Sequence, residues 1–178
     1  MTPNSPQNVP AGDTETTMPL TSTCLCLLTR VNHDGVPQVL LGHKKTGLGE
    51  GKIVGLGGHV EPGESPAEAA ARETKEESGI HVPVGVLREA AFITFLFPVR
   101  PAWSMTVNVF TSTEFSGDAV ETMEIRPEWF GYSDLPLDGM WDDARQWLPR
   151  ILSGETLRAT FTYADDCQTV ATAAIESA

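Results

Sequence analysis

Basic residues, cysteines and long apolar runs are all scarce in this chain of 178 residues. There are 12 Lys and Arg against 24 Asp and Glu, so the net charge is −12, which opposes general binding to nucleic-acid phosphates or anionic lipid. Only three cysteines occur, with no secretory leader pattern ahead of them, and we therefore expect a reducing, cytoplasmic setting without disulfides. No apolar run approaches the roughly 18 residues of a membrane helix.

The first 18 residues hold little that could be buried, which predicts a disordered tail over 1–18 and one domain over 19–178. Cys24 and Cys26 lie in an apolar run. With no histidine or second cysteine pair nearby, we expect two small buried side chains there and no metal site.

Runs of apolar, β-branched and aromatic residues predict strands over 21–31, 38–43, 90–97, 104–115 and 128–132. Pro98 and Pro101 end the third run and favour an edge or barrel-like position for it. The segment 141–152 predicts an amphipathic helix that ends at Gly154 and is kinked or divided near Trp147 by Pro149. Two short runs around Asp165 and Asp166 predict a hairpin.

One helix is marked at both ends by its sequence. Ser65 is a good N-cap, Pro66 suits the first turn, and Glu68 completes a capping box, while Gly79 can adopt the left-handed conformation that ends a helix. Small residues recur at helical spacing and predict a stripe that packs on a sheet: Ala67, Ala70, Ala71 and Thr74.

The loop that leads into this helix is rich in glycine, with seven between positions 47 and 63, which allows a ligand to approach the backbone closely. Six carboxylates follow from the loop into the helix: Glu61, Glu64, Glu68, Glu73, Glu76 and Glu77. Crowded carboxylates destabilise an isolated helix, and a hard cation such as Mg²⁺ or Mn²⁺ would reverse that cost. The alternative is a solvated charged helix. Against it, Arg72 has Glu68 and Glu76 four residues away on either side, as a positioning residue would.

The segment from Gly58 to Ile80 resembles the Nudix box, G-x5-E-x7-R-E-U-x-E-E-x-G-U. Every charged and glycine position matches, and only Thr74 departs, where the family prefers an aliphatic residue. The resemblance implies an α+β Nudix fold, in which a mixed β-sheet lies between helices. It further implies hydrolysis of a phosphoanhydride bond in a nucleotide.

The same resemblance assigns roles in the site. It implies that Glu73, Glu76 and Glu77 hold Mg²⁺ or Mn²⁺ beside Arg72, that Glu73 acts as general base, and that the Gly57 carbonyl is a further ligand. Gly58 and His59 are expected beside the substrate, where His59 replaces a lysine common in the family.

The likeness extends over roughly residues 20–165 and is carried by the segments 40–64, 124–130 and 140–149. These segments resemble the MutT homologue branch, which removes oxidised purine nucleoside triphosphates. This likeness implies that Glu124 joins the metal site and that Trp141 binds the base together with an aspartate pair. The register leaves open whether Asp142 or Asp143 contacts the base, because Ala144 takes the second place of that pair in the ungapped match. Val54 stands where the branch usually has an asparagine that reads the base edge.

The leading hypothesis is therefore an Mg²⁺-dependent hydrolase of a modified purine nucleoside triphosphate such as 8-oxo-dGTP, which yields the monophosphate and pyrophosphate. Hydrolysis of another nucleotide, such as ADP-ribose or an unmodified dNTP, is the alternative within the enzyme class. A catalytically silent nucleotide-binding regulator is the alternative outside it. The expected partner is a small nucleotide and neither nucleic acid nor a membrane, and no pattern indicates an oligomeric state.

Overall fold

A computed structural model describes residues 19–178, and the tail expected at 1–18 lies outside them. The strands are β1 (Thr21–Val31), β2 (Pro37–Lys44), β3 (Ile53–Val54), β4 (Arg88–Leu96), β5 (Met105–Ser112), β6 (Ile125–Gly131), β7 (Leu157–Tyr163) and β8 (Val170–Ser177). The α-helices are α1 (Pro66–Ser78) and α2 (Ala144–Leu152). In the described part of the chain no helix combines the length and apolar character needed to cross a membrane.

The strands form one mixed sheet in the order β3-β2-β1-β5-β4-β7-β8, with β6 paired to β2 outside this path. The β1–β5 and β4–β7 pairs are parallel, and the remaining pairs are antiparallel. Helix α1 packs on one face and α2 on the other, so the expected mixed sheet between helices is confirmed.

Alternation along β1 divides the core into these two layers. Cys24, Cys26 and Leu28 pack with the alanines of α1, while Leu27 packs with α2 around Trp147. Successive side chains of a strand point to opposite faces, which is why neighbours in sequence enter different layers. Both cysteines are free and buried, as expected.

The predicted limits of α1 are confirmed. The Ser65 hydroxyl accepts from the Glu68 amide, the Glu68 carboxylate accepts from the Ser65 amide, and Gly79 takes φ 77°. The predicted packing stripe is confirmed, because Ala70 and Thr74 are buried and Ala67 and Ala71 pack against the same apolar layer. The fully buried face also includes residues outside the stripe, one of them a carboxylate: Ala69, Glu77 and Ser78.

Two other expectations are wrong. Strand β4 is not at an edge, because it pairs with β5 on one side and β7 on the other, and its prolines lie beyond its end. Helix α2 begins only at Ala144 and is not divided at Trp147. Pro149 removes one backbone donor, but burial of Trp147, Leu148 and Ile151 holds this short helix on the core.

Strands β7 and β8 form the hairpin expected around Asp165 and Asp166. The Asp166 carboxylate accepts from the amides of Gln168 and Thr169, which fixes the turn. The second strand continues to Ser177, beyond the predicted run.

Candidate active site

The glycine pair after β3 is held against β1. The amides of Cys24 and Cys26 donate to the carbonyls of Gly58 (2.9 Å) and Leu56 (2.7 Å). Gly57 has φ 155°, and a side chain there would overlap the Cys24 carbonyl. A Cβ on Gly58 would lie 2.5 Å from the Glu73 carboxyl carbon. Glycine at position 57 therefore allows close approach to the β1 backbone, and glycine at position 58 allows close approach of the Glu73 carboxylate.

Arg72 organises the carboxylates around this junction. Its guanidinium makes two bonds to Glu64, of 2.9 and 3.0 Å, and one of 2.8 Å to Glu73. It also donates to Glu76 (3.3 Å) and to the His59 carbonyl (3.0 Å). The bidentate pair with Glu64 fixes the orientation of the Arg72 guanidinium as well as its distance from the carboxylate.

The expected contact of Arg72 with Glu76 is present, whereas Glu64 takes the place expected for Glu68. Glu68 is occupied by the capping box at Ser65. The local spacing of α1 could not reveal this exchange, since Glu64 precedes the helix. Contact with Arg72 lowers the pKa of the Glu64 carboxyl.

Glu77 is the most buried carboxylate of the site, with 3% of the residue exposed. One oxygen accepts from the Gly57 amide at 2.9 Å, and the other lies 3.4 Å from the Lys44 ammonium. Burial raises the pKa of Glu77 to about 7, against the opposing effects of the Gly57 amide and Lys44. By contrast, the Glu73 side chain is 17% exposed and that of Glu76 is 60% exposed.

Glu124 lies in an exposed turn just before β6. This turn is fastened to the end of α1, because the Val120 amide donates to the Ser78 carbonyl (2.8 Å) and the Thr122 hydroxyl to the Glu77 carbonyl (3.3 Å). The turn therefore carries Glu124 to the same end of the helix as Glu77.

The donor set suits a hard divalent cation, since carboxylate and carbonyl oxygens are the ligands that Mg²⁺ and Mn²⁺ prefer. Within residues 19–178 no donor reaches the Gly57 carbonyl, which is thus available to a ligand. In that same part of the chain, no three His, Cys, Asp or Glu side chains converge as a metal cage. Glu73 and Glu76 instead pair with Arg72, and Glu77 pairs with Lys44.

Trp141 lines an open cleft of about 540 Å³ formed mainly by the glycine-rich loop. The Lys52 ammonium lies 4.7 Å from the Trp141 ring centroid. The indole also packs nearly perpendicular to Phe97 and Tyr163. The residues around the cleft are Gly47, Leu48, Gly49, Glu50, Gly51, Lys52, Trp103, Trp141 and Gln168.

The two aspartates after Trp141 are engaged within the protein. Asp143 is buried, and its oxygens accept from the Trp147 indole (2.6 Å) and from the Tyr163 hydroxyl. Burial raises the pKa of the Asp143 carboxyl. Asp142 accepts from the Val170 amide (2.9 Å) and pairs with Arg145 (3.3 Å). Neither aspartate lines the cleft.

The remaining expected residues divide between the two regions. Val54 packs with the apolar layer beneath α1, and Trp141 belongs to the aromatic group around Phe97, so the structure does not bring them into one cluster. His59 is exposed, and its backbone carbonyl, not its ring, contacts Arg72.

Lys44 and Tyr163 contact expected site residues, and sequence reasoning did not single them out. A lysine pair directly before the glycine-rich loop was the available signal for Lys44. Nothing local marks Tyr163, which lies 20 residues from Asp143 and reaches it only because β7 packs beside α2.

The family model for the NUDIX domain matches residues 19–151, and the chain belongs to this family. The chain is 36% identical over 128 residues to the oxidized purine nucleoside triphosphate hydrolase of Mus musculus, across 72% of this chain and 80% of that protein. The protein of the same name from Danio rerio is 37% identical over 126 residues, covering 71% and 79%. A crystal structure of a MutT protein from Bacillus halodurans superposes with a TM-score of 0.72 at 25% identity, covering 88% of this chain and 98% of that one.

Proposed function

We propose that this protein hydrolyses oxidised purine nucleoside triphosphates, such as 8-oxo-dGTP, to the monophosphate and pyrophosphate with Mg²⁺. The observation that carries the proposal is the set of carboxylates on α1, ordered by Arg72 and Lys44 against the Gly57–Gly58 backbone. The named activity of the mouse and zebrafish relatives supports the choice of substrate. Three free, buried thiols accord with action in a reducing cytoplasm.

Glu73, Glu76 and Glu77 are the side chains that would hold the metal, with the Gly57 carbonyl and with Glu124 from the adjoining turn. When bound, Mg²⁺ would neutralise phosphate charge and lower the pKa of a coordinated water. Glu73 would accept a proton from water, a role supported by its contact with Arg72 and its partial exposure.

Arg72 and Lys44 have a second effect in this proposal. They pair with Glu73 and Glu77, which limits the repulsion between these two carboxylates four residues apart.

On the base side, Trp141 supplies a flat apolar surface for stacking a purine. Val54 can neither donate nor accept a hydrogen bond, and both oxygens of Asp143 already have donors. We therefore propose that stacking contributes more to base recognition here than hydrogen bonds along the base edge do.

A pyrophosphate-release assay over a nucleotide panel tests the proposal. With Mg²⁺, 8-oxo-dGTP should give a higher kcat/KM than dGTP, dCTP or ADP-ribose, and EDTA should abolish turnover. Trp141→Ala should raise KM for 8-oxo-dGTP and dGTP together. Preference for a pyrimidine or a sugar-linked diphosphate would refute the oxidised-purine assignment.

A further inference from the structure

The glycine-loop cleft has a second tryptophan, Trp103, that the motifs do not mark. It lies in the short turn Pro101–Trp103 between β4 and β5, far in sequence from Trp141. Both tryptophans line the same cleft, whose volume of about 540 Å³ falls in the range of about 300–1,000 Å³ typical of small-molecule sites.

Phe97 is the common support of the two indoles. Trp103 meets it at 5.8 Å between ring centroids and an interplanar angle of 77°, and Trp141 meets it at 6.2 Å and 73°. Phe97 is itself buried and stacks on Tyr163 at 4.4 Å. Two half-exposed tryptophans thus rest on one buried aromatic ring, an arrangement that limits their movement.

Each of the two indole rings also makes a cation–π contact. The Lys52 ammonium lies over Trp141 and the Arg100 guanidinium over Trp103, both 4.7 Å from the ring centroid. In a chain with net charge −12, Lys52 lines the cleft beside Glu50, and Arg100, which is not part of the lining, lies on the Trp103 ring. These two cations bring positive charge to the aromatic walls, which favours an anionic ligand with an aromatic part.

The cleft is joined to the carboxylate site through one hairpin. Lys44 exchanges backbone hydrogen bonds with Gly51 and Lys52 at the end of the loop, and its ammonium contacts Glu77. Lys44 therefore connects the loop that forms the cleft with Glu77 of α1.

We propose that Trp103 is a base-binding residue, which forms with Trp141 the aromatic walls of the nucleotide cleft. This inference rests on the proposed function for the identity of the base, but it requires only that the ligand carries a purine. Arg100, held on Trp103, brings positive charge to the same wall.

Binding of 8-oxo-dGMP and dGMP in the presence of Mg²⁺, followed by quenching of tryptophan fluorescence, tests the role of Trp103 without turnover, because these monophosphates are the expected products. Trp103→Ala should weaken binding of both nucleotides about tenfold or more, since stacking on an aromatic side chain is a major part of base affinity. Trp103→Phe should restore most of the affinity. Trp129→Phe is the matched control, because Trp129 stacks on Phe115 away from the cleft, and it should bind as wild type does.

Turnover of 8-oxo-dGTP by the same variants separates binding from catalysis. Trp103→Ala should raise KM by a similar factor and leave kcat within about threefold, and its melting temperature should show that it is folded. Unchanged affinity and KM in folded Trp103→Ala would overturn the inference and leave the proposed function intact. If wild type does not hydrolyse 8-oxo-dGTP yet binds dGMP through Trp103, the proposed substrate fails and this inference stands. If neither nucleotide binds to wild type, the inference fails as well.

Discussion

Individual residues in this site owe their properties to contacts that are distant in sequence. Glu77 meets Lys44 across 33 positions, and Asp143 meets Tyr163 across 20. The box motif identified Glu77, and the likeness beyond the box left either Asp142 or Asp143 as a candidate, because charged residues at fixed spacing can be recognised locally. Their partners, Lys44 and Tyr163, depend on how strands and helices pack, and this packing cannot be predicted from spacing along the chain.

The hydroxyl of Tyr163 provides a test of the buried Asp143 network. Tyr163→Phe keeps the ring but leaves one buried carboxylate oxygen without its donor, which should lower the free energy of unfolding by about 1–3 kcal/mol. Urea denaturation at neutral pH measures the loss. Tyr132→Phe is the control, since Tyr132 is only half-buried, and an equally small loss in both variants would contradict the network.

Cys26 provides a test of the apolar layer beneath α1. Burial raises the pKa of its thiol from 9.0 to about 11. The folded protein therefore holds this proton more tightly than the unfolded chain, so its contribution to stability is complete below pH 9 and is lost as pH rises towards 11.

Between about pH 8 and pH 10.5, this thiol should account for a fall of about 2 kcal/mol in the free energy of unfolding. Cys26→Ala removes that contribution and should show a correspondingly smaller fall over the same interval. The replacement also lowers the free energy of unfolding by an amount that does not depend on pH. Comparing the pH dependence of the two proteins removes this constant difference. Parallel slopes in the two proteins would show that the thiol is not shielded from water.

At the scale of elements, the two ends of α1 could be predicted because residues next to each end form its caps. Ser65, Glu68 and Gly79 satisfy backbone groups within their own turn, and such local bonds can be read from sequence. The place of β4 and the start of α2 were not predictable in this way. The position of a strand in a sheet depends on its partners, and α2 is held on the core by three buried side chains.

The cap at Ser65 leads to a prediction for the helix that carries the site. Ser65→Ala removes the acceptor for the Glu68 amide and should lower the free energy of unfolding by about 0.5–2 kcal/mol. Thermal denaturation followed by circular dichroism measures the effect. Glu68→Gln keeps a capping box and should cost less. Equal stability of Ser65→Ala and wild type would show that the cap does not fix the start of α1.

For the whole molecule, the net charge of −12 means that a divalent cation would aid binding of the nucleotide as well as its hydrolysis. A polyanionic nucleotide is repelled by such a surface, and the few cations near the site, Lys44, Lys52 and Arg72, are held by Glu77, Trp141 and the α1 carboxylates. Substrate binding should therefore depend on Mg²⁺ as well as turnover. The fold brings Glu64 of the loop and Glu73 and Glu76 of helix α1 into contact with one guanidinium, that of Arg72.

The most direct measurement is pyrophosphate release from 8-oxo-dGTP over a range of Mg²⁺ concentrations by wild type, Glu77→Gln and Glu68→Gln. Both variants make the same change on α1, but only Glu77 faces the Gly57 amide and Lys44. Glu77→Gln should lose activity by orders of magnitude while folded, and Glu68→Gln should stay within about twofold of wild type. Turnover near the wild-type rate in Glu77→Gln, or in wild type with EDTA, would contradict metal-dependent hydrolysis at this site.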